Sequence, residues 1–159
     1  DITQREIDIL TFPDDFKTKD IKGLFYGDYF RWDPVNHTEL IKNYGWKPLK
    51  VPPVGSSSVN ENCDMQFIDI REHVKYLKYG YGRATDQLNI EVRSGHKTRE
   101  QALELALKID GKVSEGNILK FCQFLGIERN HFDKIVDRFV NKKLFTKVND
   151  TWRPNYERV

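Results

Sequence analysis

The sequence of 159 residues contains few of the residues that build metal sites and disulfide frameworks. Its two cysteines, Cys63 and Cys122, lie far apart and form no CxxC pair. This spacing argues against a zinc knuckle or a disulfide-bonded scaffold and favours a reduced, cytoplasmic setting. The histidines show no HxxxH or mixed His/Cys spacing, so the sequence predicts no metal site. They are His37, His73, His96 and His131.

Long apolar runs and phosphate-binding loops are also missing. No run approaches the roughly 20 residues that a membrane helix needs, so no membrane partner is expected. Neither GxxxxGK[ST] nor GxGxxG occurs, and the chain therefore has no phosphate cradle of its own. The net charge is only +2, which gives little reason to expect a nucleic-acid partner.

Residues 63–159 predict a bundle of short helices followed by a small β-hairpin. Apolar residues from Phe67 to Tyr81 recur at alternating spacings of 3 and 4, which is typical of one helix face, and Gly80 ends that helix. Caps and glycines then predict further helices, and LFTKVNDTWRP predicts a hairpin. The predicted helices cover Thr85–Arg93, Arg99–Ile109, 115–125 and a last segment from Asn130.

Residues 1–62 predict an irregular extension with short strands at Ile21–Phe30 and Trp46–Val51. Between them, Asp33 and Pro34 predict the start of a helix. The stretch VPPVGSSSVNEN is typical of a mobile loop or linker. The predicted fold is therefore mainly α, with an extension at 1–62 and a helical domain at 63–159.

The segment Tyr79–Arg99 is the richest in candidate binding residues. It places Arg83, Arg93 and Arg99 near predicted helix ends, where free backbone N–H groups and arginine together can hold a phosphate. Asp86 lies in the first turn of its helix, where a carboxylate is also favourable for capping alone. The alternative is an Asp–Arg network that only joins one helix to the next.

Residues 114–153 suggest a second interpretation, because two helices and a basic hairpin resemble a winged helix. In that case Arg129–Asn141 would enter the major groove of DNA. Asp133 and Asp137 on the same helix argue against this, since a phosphate-facing helix is usually more basic. A third possibility is a purely structural interaction domain.

Several segments together resemble the C-terminal half of the N-acetyl sugar amidotransferases, PP-loop ATP-utilising enzymes of surface-polysaccharide and flagellar-sugar biosynthesis. The most specific combination is YGRATD followed by VRSG and a TREQA helix. The segments that carry the resemblance are KGLFYGDYFRWD, NYGWKP, HVKYLKYGYGRATDQLNIEVRSGHKTREQALEL, KIDGK and FLGIERNHFDKIVDRF.

The resemblance implies a reaction in which ATP adenylates the oxygen of a sugar N-acetyl amide. Ammonia from a separate glutaminase subunit then displaces AMP and leaves an acetamidino group. Adenylation is needed because an amide is a poor electrophile, and the phosphate charge calls for Mg²⁺ and fixed cations. The implied cofactors are ATP and Mg²⁺ in the full-length enzyme, and the implied substrate is a nucleotide sugar.

One departure from the family pattern limits what this chain can do by itself. The SGGxDS-type PP-loop and the family's zinc-binding cysteines are absent, so the chain is expected to follow an α/β PP-loop domain and to be inactive alone. No catalytic residue can be assigned. The expected substrate-binding residues are Arg83 and Asp86 first, then Arg93 and Arg99, with Tyr29 and Trp32 as sugar-stacking groups. Trp32, next to Asp33 and Pro34, could equally be a hydrophobic staple.

Overall fold

A computed structural model describes residues 3–12, 15, 19–20 and 22–156. Within them the chain is mainly helical and ends in one antiparallel hairpin, as the sequence predicts. Contacts divide the chain into two compact units, Asp1–Trp32 and Asp33–Val159. The elements are α1 (Gln4–Asp8), α2 (Pro34–Lys42), α3 (Ile68–Tyr79), α4 (Arg83–Arg93), α5 (Arg99–Ile109), α6 (Glu115–Leu125), α7 (Arg129–Phe139), β1 (Phe145–Val148) and β2 (Thr151–Pro154).

The first unit contains short local structure and no strand among its described residues. A capping box between Thr3 and Glu6 starts α1, which the sequence did not predict. The predicted strand at Ile21–Phe30 is wrong for the described residues 22–30, because Tyr26–Asp28 forms a 3-10 turn. The N–H groups of Asp28 and Tyr29 bond the carbonyls of Phe25 and Tyr26, so local turns replace strand pairing there.

In the second unit, helix ends follow the capping signals in the sequence. Asp33 caps α2 by accepting a hydrogen bond from the N–H of Asn36 at 3.2 Å, and Thr98 caps α5 in a capping box. Gly80 ends α3 with a φ of 85°, where a glycine avoids the steric cost of a Cβ. Helix α4 begins at Arg83, two residues before the predicted Thr85.

The main core lies between α3, α6, α7 and the hairpin. Its most deeply buried side chains are Phe145 and Leu77, at 1% and 2% exposure. On α7, Phe132 and Val136 are buried in this core, whereas Phe139 is 49% exposed. The other buried members are Ile70, Ile118, Cys122 and Val140. These long-range contacts stabilise helices that are each too short to be stable alone.

Helices α4 and α5 form a separate and smaller layer. Its buried cluster consists of Ala84, Leu88, Ala102 and Ala106. Three of these four are alanines, whose small side chains allow the two helix backbones to approach closely.

The hairpin and the loop before α3 complete the second unit. The hairpin turns at Asn149 and Asp150 as predicted, with positive φ at both residues. The predicted strand at Trp46–Val51 is wrong, because this segment makes only isolated contacts such as Leu49 N–H to the Val59 carbonyl at 2.9 Å. The predicted domain boundary at residue 62 stays a prediction. No described helix is long and apolar enough to cross a membrane.

Candidate functional site

The carboxylate of Asp110 accepts hydrogen bonds from the short connection between α3 and α4 and from the first turn of α4. The N–H of Gly82 donates to Asp110 Oδ2 at 3.0 Å, and the Thr85 hydroxyl donates to the same oxygen at 2.6 Å. A Cβ on Gly82 would lie 2.6 Å from Asp110 Oδ1, so a larger residue at this position would displace the carboxylate. The start of α4, where the sequence suggests that a phosphate could bind, is therefore occupied by a carboxylate of the chain itself.

Arg83 binds the loop that precedes α3. Its Nη2 forms an ion pair with Glu61, whose Oε2 also accepts a hydrogen bond from Gln87 Nε2 at 3.0 Å. The side chain of Arg83 is 31% exposed, so the pair is partly shielded from water. Arg83 thus connects α4 to residues 56–61, which matches the alternative of a connecting network more closely than a free phosphate ligand.

Asp86 binds the preceding helix. Its carboxylate forms an ion pair with Lys75 of α3, whose Nζ also lies 4.9 Å from the centroid of the Tyr81 ring. Arg93 donates from Nε to the carbonyl of Asn89, one turn earlier in α4, at 3.3 Å. Arg83, Asp86 and Arg93 therefore each bond a different part of the chain, and their role in substrate binding stays a prediction.

A groove of about 420 Å³ lies between α4 and α5. Arg99, at the start of α5, is the charged residue among those that line it, and its side chain is exposed. Tyr81 and Thr85 come from the YGRATD segment, whereas Arg99 and Ala102 come from the TREQA segment. The remaining lining residues are Leu88, Asn89, Val92, Leu103 and Ala106. The tertiary structure thus places both segments on one mixed apolar and polar surface.

Tyr29 and Trp32 belong to the first unit, Asp1–Trp32. Their side chains are 67% and 62% exposed, as a stacking role would require. Their contact with a sugar stays a prediction.

A polar network around Gln87 was not predicted from the sequence. Gln87 is 5% exposed, and its Oε1 accepts hydrogen bonds from the Ser56 hydroxyl at 3.0 Å and from Ser57 N–H at 2.8 Å. The Ser57 hydroxyl donates to the same oxygen at 3.0 Å. The serine-rich stretch was interpreted as a mobile linker, but these bonds attach it to α4. No local sequence signal identifies Gln87, because its partners lie about 30 residues away.

Next to this network, a polar cavity of about 260 Å³ is lined by residues of α2, of α4 and of two loops. Within it, Nε2 of His96 lies 3.0 Å from both carboxylate oxygens of Asp33. Burial acts to raise the pKa of the Asp33 carboxyl, but hydrogen bonds from His96 and from the backbone of Asn36 and Val35 outweigh it and hold the pKa below its usual value. The sequence identified Asp33 only as a helix cap.

The α6–α7–hairpin segment has the arrangement of two helices and a wing that the sequence suggested. Two of its cations, however, form ion pairs within the chain. Arg129 forms ion pairs with Glu115 and Asp133, and Lys147 lies 2.8 Å from Asp137. Cations held in this way are less available to phosphate groups.

No group of three or more His, Cys, Asp or Glu side chains within the described ranges could hold a metal ion. Cys122 is buried in the main core, where it packs as a small apolar side chain, and Cys63 is exposed.

Comparison with protein families identifies a match over most of the chain. A family model described as "LPS biosynthesis protein WbpG-like, C-terminal domain" matches residues 39–158. A search of curated proteins finds no match. The family model covers most of the second unit, including every element from α3 to the hairpin. The chain therefore belongs to the family of WbpG-like LPS biosynthesis proteins, of which it contains the C-terminal domain.

Proposed function

We propose that this chain is the C-terminal domain of an ATP-dependent amidotransferase that converts a sugar N-acetyl group to an acetamidino group during lipopolysaccharide biosynthesis. Membership of the WbpG-like family supports the pathway, and the resemblance of YGRATD and TREQA to the N-acetyl sugar amidotransferases supports the reaction. The observation that carries the proposal is that both segments line the same groove.

The groove has the composition expected of a wall for a nucleotide sugar. Leu88, Val92 and Ala106 supply apolar surface, and Thr85 and Asn89 supply polar groups at its edge. We infer that Arg99 contacts a phosphate of the nucleotide and that the Tyr81 ring contacts an apolar face of the sugar. Neither interaction requires a change in the bonds that hold α4 in place.

The described residues at the starts of α4 and α5 do not fit an ATP–Mg²⁺ site. At the start of α4 the N–H of Gly82 already donates to the carboxylate of Asp110, and α5 begins with a closed capping box between Thr98 and Gln101. ATP and Mg²⁺ therefore belong, in this proposal, to the preceding PP-loop domain. A glutaminase subunit supplies ammonia, and the present domain binds and orients the sugar substrate.

The winged-helix interpretation is the second candidate, and the arrangement of α6, α7 and the hairpin favours it. The ion pairs of Arg129 and Lys147 weigh against nucleic acid as the partner. Duplex DNA binding measured from low to physiological salt separates the two interpretations. Tight binding that weakens steeply with salt would support a nucleic-acid function instead.

The proposal is tested in the full-length protein that carries this domain, with ATP, an N-acetylated nucleotide sugar and ammonium chloride. Mass spectrometry of the sugar detects conversion of the amide to an amidine. Arg99→Gln is expected to lower kcat/KM for the sugar substrate by at least about tenfold, because it removes the cation of the groove. Its melting temperature should stay unchanged, since the side chain is exposed.

The matched control is Lys108→Gln on the same helix. Lys108 is an exposed cation paired with Glu104 and does not line the groove. Lys108→Gln should therefore leave kcat/KM for the sugar substrate unchanged. An equal loss of kcat/KM in both variants would mean that the total charge of α5, and not a cation in the groove, determines the rate. No ATP-dependent amidine formation by the wild-type protein would contradict the proposed reaction itself.

A further inference from the structure

Asp110 connects the two walls of the groove between α4 and α5, although it does not line the groove itself. It directly follows α5, and its N–H bonds the carbonyl of Ala106, a residue of the α5 wall, at 2.9 Å. Its Oδ2 accepts the hydroxyl of Thr85, a residue of the α4 wall, at 2.6 Å. The same oxygen accepts the N–H of Gly82, the neighbour of Tyr81, at 3.0 Å. One half-buried side chain thus joins the start of the α4 wall to the end of the α5 wall.

The carboxylate defines the position of the α4 wall more sharply than the apolar contacts between the helices do. The opposite end of the groove is closed by the loop 94–98, which connects α4 to α5. Between the two ends, the buried contacts are made by Ala84, Leu88, Ala102 and Ala106. Apolar contacts are non-directional, whereas hydrogen bonds to a carboxylate are directional and strong. Asp110 therefore determines where Tyr81 and Thr85 lie relative to α5.

The turn that carries Asp110 is held against α3 of the main core. Nδ1 of His73 lies 2.6 Å from the carbonyl oxygen of Gly111. A Cβ on Gly111 would lie 2.3 Å from Cδ1 of the Tyr76 ring, so the backbone of the turn packs directly on that ring. The backbone of Asp110 is thus anchored to α3, and its carboxylate reaches α4. Both contacts belong to KIDGK (Lys108–Lys112), one of the segments that carry the family resemblance.

We propose that Asp110 is a positioning residue for the sugar substrate, on which it acts through Tyr81 and Thr85 without touching it. This inference rests on the proposed function, in which the groove binds the nucleotide sugar. In the free protein the carboxylate already holds the α4 wall in place, so the substrate does not have to order that wall when it binds. Without the carboxylate, part of the binding free energy is used to restore the arrangement, and the affinity for the sugar falls.

Asp69 provides the matched control for a purely structural role. Its carboxylate makes the same kind of contact at the start of α6, where it accepts hydrogen bonds from the N–H of Ser114 at 2.8 Å and from Nδ2 of Asn117 at 3.0 Å. Asp69 is 2% exposed and does not line the groove. The loss of its charge therefore affects stability without affecting the walls of the groove.

The test uses the full-length enzyme, with the nucleotide sugar varied at saturating ATP and ammonium chloride. Asp110→Ala is expected to raise the KM for the sugar at least about fivefold, with kcat and the KM for ATP unchanged. Asp110→Asn should recover part of this loss, because asparagine retains an oxygen acceptor. In a protein that already carries Thr85→Val, Asp110→Ala should raise the KM by a smaller factor than it does alone. Asp69→Asn, assayed below its melting temperature, should keep the wild-type KM.

Amide hydrogen exchange at Gly82 tests the contact independently of activity. Asp110→Ala should speed this exchange, because the N–H of Gly82 donates to Asp110 Oδ2. Unchanged exchange at Gly82 would show that the carboxylate does not hold the start of α4 and would overturn the inference.

The kinetic results separate the inference from the proposed function. An unchanged KM for the sugar in Asp110→Ala overturns the inference and leaves the proposed function intact. A defect that Asp69→Asn shares, a defect confined to kcat, or an undiminished effect in the Thr85→Val background also overturns it. If Asp110→Ala does not fold, Asp110→Asn decides: a KM raised at least about twofold supports the role, and a wild-type KM overturns it. A wild-type enzyme that forms no amidine overturns the proposed function and, with it, this role of Asp110.

Discussion

Replacing Gln87 by methionine tests whether one buried side chain holds the serine-rich loop against α4. Methionine retains the length and flexibility of glutamine but cannot make its hydrogen bonds. The substitution removes four hydrogen bonds, which join Gln87 to Ser56, Ser57 and Glu61. The loop contributes a wall of the 260 Å³ cavity, so its attachment matters for that cavity as well as for stability.

The expected loss of stability follows from what each partner retains. At a net contribution of about 1 kcal/mol per hydrogen bond, four bonds would give about 4 kcal/mol. Two partners keep another bond, however, because the Ser56 hydroxyl also lies 3.2 Å from the Ser58 carbonyl and Glu61 keeps its ion pair with Arg83. The expected destabilisation is therefore about 2–3 kcal/mol.

Urea unfolding measures this difference, and amide hydrogen exchange at Ser57 shows where it arises. Gln87→Met should speed exchange at Ser57, whose N–H donates to Gln87 Oε1. Gln123→Met is the matched control, because Gln123 lies exposed on α6 and should change stability by less than about 0.5 kcal/mol. If Gln87→Met stays within that same range and Ser57 exchange is unchanged, the loop is not held by this side chain.

Two further predictions concern stability. Gly111→Ala should cost at least about 2 kcal/mol more than Gly95→Ala in urea unfolding. Both glycines have φ above 70°, but only at Gly111 would a Cβ meet the Tyr76 ring, 2.6 Å from Cε1; equal losses would contradict this packing. His73 is the second case: burial lowers its pKa despite the hydrogen bond with the Gly111 carbonyl. The unfolded state therefore binds more protons below about pH 6.5, and stability should fall as the pH decreases from there. His73→Gln should flatten this pH dependence, and an unchanged profile would show that another group causes it.

The helix ends illustrate what can be predicted from local sequence. Thr98 with Gln101 and Ser114 each cap the start of a helix, and Gly80 and Gly126 each end one, all by contacts within about one turn of the chain. The two predicted strands are wrong because strand formation depends on residues outside the segment itself. A strand needs a partner to bond, and strand-forming residues alone do not show whether the fold supplies one.

The candidate site was predicted less completely than the fold. The resemblance drew attention to YGRATD and TREQA, and the structure shows that these segments face each other across a groove. Arg83 and Asp86 are instead joined to Glu61 and Lys75, which no local pattern indicates. Whether an exposed or half-buried cation is available to a substrate depends on partners from distant parts of the chain.

The sequence by itself determined the helical class of the fold, most helix ends, the hairpin and the family resemblance. These properties depend on periodicity, capping and turn chemistry, all of which act over a few residues. Only the tertiary structure decided that Asp110 closes the start of α4, that Gln87 holds the serine-rich loop, and that Asp33 meets His96. Each of these contacts joins residues at least 25 positions apart, so it exists only once the helices have packed.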